Sequence, residues 1–256
     1  MILLNRVVAT KADAEYLLKA TNHTFQGLKL TLDDIESNWI GLRPLIHEVG
    51  KDPSELSRKD EIFLSKSGLI SIAGGKLTGY RKMADRVLTA VSKQLTPEQK
   101  SKLKRSFTKK IPLVTPAIKT SKEVVAYQDE LKGQLAEMEI TDPYMSWYLC
   151  TTYGKNADLI LDQKRTFKEG STQEQLIRAE LWYCIQHEMT NGLADFFVRR
   201  TARLYFDIDS VTQFMEIILH DCIQYLNWDE KRVALEQKTM TELIQDATVY
   251  YDKEFE

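Results

Sequence analysis

The stretch best suited to chemistry is Leu69-Ile-Ser-Ile-Ala-Gly-Gly-Lys-Leu-Thr-Gly-Tyr-Arg81. A short apolar run with strand spacing ends in two glycines, and a helical pattern begins a few residues later. Glycine lets the backbone approach a ligand with no side chain between them. The unbonded N–H groups and the dipole of a helix start favour negative charge. Such a junction is an anion or cofactor contact. Equally, it is a tight strand-to-helix turn whose glycines serve only packing, and the residues alone divide evenly between the two.

The elements that must hold this junction can be read from the surrounding pattern. Behind it, Tyr80, Met83, Ala84, Val87, Leu88 and Val91 recur at three- and four-residue steps, which predicts a helix with one covered face. Ahead of it, Leu56 to Phe63 and Gly68 to Ala73 have strand spacing, separated by a turn at Ser65-Lys66-Ser67-Gly68. Ile35 to Leu45 alternates enough to predict another strand, and Ala12 to Asn22 predicts a helix. The segment 96–120, punctuated by Pro97, Pro112 and Pro116, is expected to be a linker. Its lysines and Arg105 make a solvated basic face, with an anionic membrane surface or a phosphate as the minor alternative.

From Ser121 onward the pattern is helical throughout. Asp142-Pro143 reads as an N-cap with a first-turn proline, Gly154 as a helix end, and Ser171-Thr-Gln-Glu174 as a capping box. Gly192 breaks the next helical run, Leu193 to Tyr205. Val211 to Leu226 is amphipathic, and Asp229 opens a last helix to about Tyr251. The expected class is therefore α+β, with strands and the glycine junction in residues 1–95 and an all-helical domain over 121–256.

Composition narrows the function classes. The 256 residues are 43% hydrophobic with a net charge of −2, so one large core or two small ones are possible and a general nucleic-acid surface is disfavoured. No apolar run approaches the roughly 20 residues needed to span a bilayer. Cys150, Cys184 and Cys222 fit no zinc or CxxC spacing, and an odd, sparse set suggests reduced thiols in the cytoplasm. His187-Glu188-Met189 falls short of HExxH because residue 191 is Asn191, so no metal site is expected.

Several ordered segments together resemble one family. Ala73-Gly-Gly-Lys-Leu-Thr78 with Tyr80-Arg81 is similar to the C-terminal flavin loop of FAD-dependent glycerol-3-phosphate dehydrogenases and oxidases. Asp34-Ile-Glu-Ser37, Gly41-Leu-Arg-Pro-Leu45 and Leu56-Ser-Arg-Lys-Asp-Glu-Ile62 resemble the segments ahead of that loop. Ala179-Glu-Leu-Trp-Tyr183, His187-Glu-Met189 and Asp195-Phe-Phe-Val-Arg-Arg200 resemble the family's helical C-terminal domain.

The resemblance implies oxidation of sn-glycerol 3-phosphate to dihydroxyacetone phosphate with hydride transfer to FAD, and oxygen is favoured over a quinone as acceptor. It implies cofactor contacts from Gly74, Gly75, Lys76, Leu77 and Thr78, and substrate contacts from Arg43, Arg58 and Lys76. No catalytic residue is implied within these residues. The sequence departs from the family pattern at Gly79, where a second threonine is usual.

The family's GxGxxG nucleotide motif occurs nowhere in the 256 residues. The chain is therefore expected to be a C-terminal portion, inactive by itself, with a missing N-terminal half as its partner. The alternative is a non-catalytic helical interaction module or a subunit of a split enzyme.

Overall fold

The computed structural model describes residues 7–42 and 60–251, and these fall into two compact units. One unit holds the residues up to Ile40 together with those from Pro112 onward, and the other runs from Gly41 to Ile111. Most of the structure is helical, and its only sheet among the described residues has two strands.

In the larger unit, helices Ser121–Glu137 (α4), Pro143–Tyr153 (α5), Ala157–Thr166 (α6), Thr172–His187 (α7), Ile208–Leu226 (α9) and Glu230–Thr248 (α10) enclose one core. α4 packs on α5, α6 on α7, and α7 on α9. The apolar steps of each helix supply that core, with Tyr127, Leu131 and Leu135 from α4, Ile160 and Leu161 from α6, Leu181 and Cys184 from α7, and Ile218 and Cys222 from α9.

The helix ends carry the chemistry expected of them. Asp142 caps the Tyr144 N–H ahead of Pro143, and Ser171 and Glu174 cap each other's backbone. Asp229 accepts from the Arg232 N–H, and Gly154 takes a φ of 54° after α5. Each cap satisfies donors that a helix start leaves unpaired.

Residues 7–40 fall in one compact unit with these helices, whereas the sequence pattern grouped them with the strands. The physical reason is a set of backbone ties. Helix Lys11–Thr24 (α1) is held by a capping box between Thr10 and Asp13. The Lys11 N–H donates to the Tyr251 carbonyl at 3.3 Å, and the Tyr251 N–H donates to that of Ala9 at 3.4 Å. The Asn38 N–H and side-chain amide both donate to the Ala247 carbonyl at 2.8 Å. The described part of the expected strand Ile35 to Leu45 is consequently irregular, bound to a helix end and not to another strand.

The expected helix Leu193 to Tyr205 is also interrupted. A π-helical turn, Asp195–Arg200, closes on a bond from the Thr201 N–H to the Phe196 carbonyl. Ala202 then takes a left-handed φ of 53° before the short helix Arg203–Phe206 (α8). A non-glycine residue in that region is strained and persists only where its neighbours hold it. Arg203 does so, through an ion pair with Glu180 of α7 at 2.9 Å.

The smaller unit contains strands Glu61–Leu64 (β1) and Ile70–Ala73 (β2), helix Tyr80–Gln94 (α2) and the short helix Pro97–Ser101 (α3). β1 and β2 pair antiparallel with Glu61 opposite Ala73 and Leu64 opposite Ile70. Arg86 of α2 forms an ion pair with Asp60 and donates to its carbonyl at 3.3 Å, tying the helix to the start of the hairpin. None of the residues of β1, β2 or α2 is buried. Leu64, Leu69 and Leu88 are each more than 60% exposed. A two-stranded hairpin is marginal without further packing, and among the described residues this unit has apolar surface and no buried core.

Candidate functional site

The glycine junction is built by the hairpin and α2. β2 delivers the chain to Gly74 and Gly75, whose φ values are 75° and 87°. Two consecutive residues in that region demand glycine on backbone grounds. A Cβ on Gly75 would also stand 2.6 Å from Met83 Sδ and 3.2 Å from Asp60 Cβ. Its missing side chain thus lets the loop press onto α2 and the start of β1. At this position packing and conformation both require glycine.

After the glycines the backbone extends through Lys76 and turns in a single 3₁₀ turn, Leu77–Gly79, whose Gly79 N–H donates to the Lys76 carbonyl at 2.8 Å. Lys76, Leu77 and Thr78 all face outward, and Leu77 is 91% exposed. An apolar residue presented so fully at a turn is suited to a flat ring system. Lys76 beside it is suited to an anion, and the Thr78 hydroxyl to a polar edge. The cradle therefore fits a planar, partly anionic cofactor through backbone and short side chains.

Of the residues singled out from sequence, the structure brings Gly74, Gly75, Lys76, Leu77 and Thr78 into this one loop. Arg43 and Arg58 lie outside the described residues. Arg81 of α2 donates to the Thr108 hydroxyl at 3.2 Å. In the larger unit, Trp147 of α5 is 51% exposed while Tyr153 of the same helix is buried. A cleft of about 510 Å³ in the larger unit lies between α1 and residues 35–40. Its lining, which includes Leu17, Leu18, Trp39 and Ile40, is mostly apolar and holds no Lys or Arg.

Sequence reading missed a buried polar cluster in the larger unit. Glu180 of α7 is 2% exposed and accepts hydrogen bonds from three side chains. They are the Tyr148 hydroxyl, the Tyr153 hydroxyl at 2.6 Å and Arg203 Nη2 at 2.9 Å. Arg203 also reaches Asp207 at 2.8 Å and the Ser210 hydroxyl at 3.2 Å.

Burial and the Glu180 charge hold the Tyr153 hydroxyl well above its ordinary pKa. Burial alone would depress the Arg203 guanidinium, but the Glu180 carboxylate outweighs it and the pKa is raised. The signal was present, because Glu180 sits on the same helix face as Ile177, Leu181 and Cys184, where a carboxylate needs partners. The cluster explains the strained Ala202, since the left-handed turn is what swings Arg203 inward. Its role is to lock α5, α7, α8 and the start of α9 together.

Comparison with known proteins bears on the whole chain. A family model described as the C-terminal domain of alpha-glycerophosphate oxidase matches residues 106–233, half of the sequence. The chain belongs to the glycerol-3-phosphate oxidase and dehydrogenase family.

Family members similar to it include the aerobic glycerol-3-phosphate dehydrogenase of Bacillus subtilis (strain 168), 39% identical over 248 residues. That match covers 94% of this chain and 44% of the relative. The enzyme of the same name from Staphylococcus aureus (strain USA300) is 36% identical over 241 residues, covering 94% and 43%. The crystal structure of glycerol-3-phosphate dehydrogenase from Bacillus halodurans complexed with FAD superimposes with a TM-score of 0.79 at 34% identity. It is matched over 98% of this chain and 48% of its own. The chain spans about half the length of the curated relatives it matches.

Proposed function

We propose that this chain supplies the C-terminal portion of a flavoenzyme that oxidises sn-glycerol 3-phosphate to dihydroxyacetone phosphate. The observation that carries the reading is the exposed loop Gly74 to Thr78. It has a positive-φ glycine pair at a strand end and presents Lys76, Leu77 and Thr78 outward. The FAD-bound neighbour at 34% identity supports FAD as its ligand.

FAD supplies the hydride acceptor when bound. The chain's own residues do the binding and orienting. Leu77 and the backbone of Gly74 to Thr78 bear on the ring, and the loop's N–H groups favour the charge that develops on reduction. Lys76, Arg43 and Arg58 hold the substrate phosphate. No proton-transferring residue is assigned among these residues.

The exposed apolar residues of β1, β2 and α2 belong against a nucleotide-binding segment that carries the GxGxxG motif. In this reading residues 41–95 complete the flavin-binding domain, residues 96–120 link, and the helices from Ser121 form a separate domain. The 256 residues alone neither retain FAD nor turn over. Oxygen is the acceptor, a reading supported by the oxidase for which the matching domain is described.

The test is reconstitution. The chain, mixed with a separately produced GxGxxG-bearing segment from the Bacillus subtilis relative, should gain flavin absorbance that bleaches on adding glycerol 3-phosphate. Lys76→Ala should raise the KM for glycerol 3-phosphate by about tenfold or more, the loss of one charge-assisted phosphate contact. Stoichiometric flavin in the chain purified alone would overturn the division of labour. Turnover with a quinone and no hydrogen peroxide would replace oxygen as acceptor.

A further inference from the structure

Two aromatic side chains of the helical unit stand in the open and line the same hollow. Tyr144 of α5 is 53% exposed, and Phe206, the last residue of α8, is 71% exposed. With Tyr148 they enclose about 320 Å³ between α5 and α8, the size of a small-molecule site. The rings are held by neighbours. Tyr144 stacks on Tyr148 with centroids 6.0 Å apart, and Trp39 meets Phe206 edge-on at 5.2 Å.

The charge of this hollow is negative. Asp142 and Asp207 line it, and an adjoining hollow of about 220 Å³ that shares both of them adds Asp209. The only cation in either lining is Arg203, which Glu180 holds at 2.9 Å and Asp207 at 2.8 Å. Asp142 caps the Tyr144 N–H through Oδ1 at 2.9 Å. Neither Asp142 nor Asp209 has an ion pair among the described residues. No group of three or more His, Cys, Asp or Glu side chains placed to hold a metal ion occurs among those residues.

We propose that the hollow between α5 and α8 binds a small organic ammonium ion. Such an ion carries its charge beneath C–H and N–H groups, so it gains from aromatic rings and carboxylates together. One contact of this kind exists in the wall itself, where the Arg203 guanidinium lies over the Tyr148 ring at 5.8 Å. Tyr144 and Phe206 supply further rings, and Asp142 with Asp207 supplies the countercharge. An anion would meet uncompensated carboxylates, and a bare metal ion would find no ligand set. The hollow lies wholly within the helical unit, and the proposal stands independently of the flavin reading.

The experiment titrates the whole 256-residue chain with tetramethylammonium chloride at constant ionic strength, read by saturation-transfer NMR of the ligand methyl protons. Saturable binding at about millimolar concentrations is expected. Neopentyl alcohol, a neutral molecule of similar size, should bind at least about tenfold more weakly. Asp142→Asn removes the charge and keeps the helix cap, since asparagine caps as well as aspartate, and should weaken tetramethylammonium by about fivefold. Phe206→Leu keeps an apolar side chain without the ring and should also weaken it by about fivefold. Both positions are exposed, and an unchanged far-ultraviolet circular dichroism spectrum confirms that each variant is folded. Equal binding of neopentyl alcohol, uptake that does not saturate, or an unchanged affinity in either variant would each overturn the proposal.

Discussion

Replacing Glu180 by alanine should be among the most damaging single changes in the helical unit. Glu180 is 2% exposed and is the shared acceptor for Tyr148, Tyr153 and Arg203. Removing one partner of a buried ion pair costs about 3–5 kcal/mol, because the other charge stays buried and uncompensated. Arg203 keeps Asp207, but that carboxylate is half exposed and compensates less. Each stranded tyrosine hydroxyl adds about 1–3 kcal/mol where water cannot reach it. These terms overlap, so a net loss of ~4 kcal/mol is expected.

At about 2–4 °C per kcal/mol for a unit of this size, the melting temperature should fall by roughly 8–16 °C. Thermal and urea melts monitored by circular dichroism would measure it. A double-mutant cycle with Arg203→Ala should return a coupling of about 2 kcal/mol or more. Combined replacement by Glu180→Leu, Arg203→Met and Tyr153→Phe should recover most of the loss, since an apolar core of similar volume does not need the pair. A Glu180→Ala variant within about 1 kcal/mol of the parent, or a coupling near zero, would refute the assignment of the cluster as the lock.

The same geometry sets three further outcomes. Gly75→Ala should cost about 1–3 kcal/mol through its φ of 87°. Adding Met83→Ala should relieve only the contact part, so full recovery in the double variant would show that backbone strain is not the cause. All three cysteines are buried and free, and burial raises each thiol, that of Cys222 to about 12. The native chain should therefore resist a thiol reagent at about pH 8 until denatured, and fast native labelling of any of them would contradict this. Burial raises the Glu188 carboxyl, partly offset by Arg200. Its favourable contribution is full below the ordinary carboxylate value and is lost as pH rises through the raised one. Glu188→Gln should thus gain stability relative to the parent in urea melts as pH rises above the ordinary carboxylate value of about 4, and a constant difference would count against it.

How far the sequence could be read depended on whether the deciding forces were local. Helix ends such as Asp142-Pro143 and Ser171 to Glu174 were legible because a cap is closed by residues two or three apart. The glycine junction was legible for the same reason, as the two glycines and the turn after them need no distant partner. What escaped was set at long range. Residues 35–40 alternate like a strand, yet Asn38 is claimed by the Ala247 carbonyl more than two hundred residues away. The break at Ala202 carries no glycine to announce it, because its strain is supported by Glu180 through Arg203. Capping rules describe a dozen residues at a time, and neither contact falls within such a window.

The two units differ in a way that bears on where the chemistry sits. The helical unit buries its apolar residues and supports even a strained turn through a satisfied polar cluster. The unit with the glycine loop buries none of β1, β2 or α2 and leaves Leu64 of β1, Leu69 just before β2 and Leu88 of α2 in the open. A loop that must hold a cofactor ring within a fraction of an ångström needs a rigid base. Here the local base is a hairpin tied to α2 by Asp60 and Arg86 and wedged by Gly75 against Met83. Those contacts shape the turn, but a two-stranded hairpin cannot supply the stiffness alone. On the proposed flavin reading, the rigidity of the site comes from whatever covers Phe63, Leu64 and Leu69. Flavin affinity and protection of those side chains from solvent should therefore appear together on reconstitution, and one without the other would separate the loop from the site.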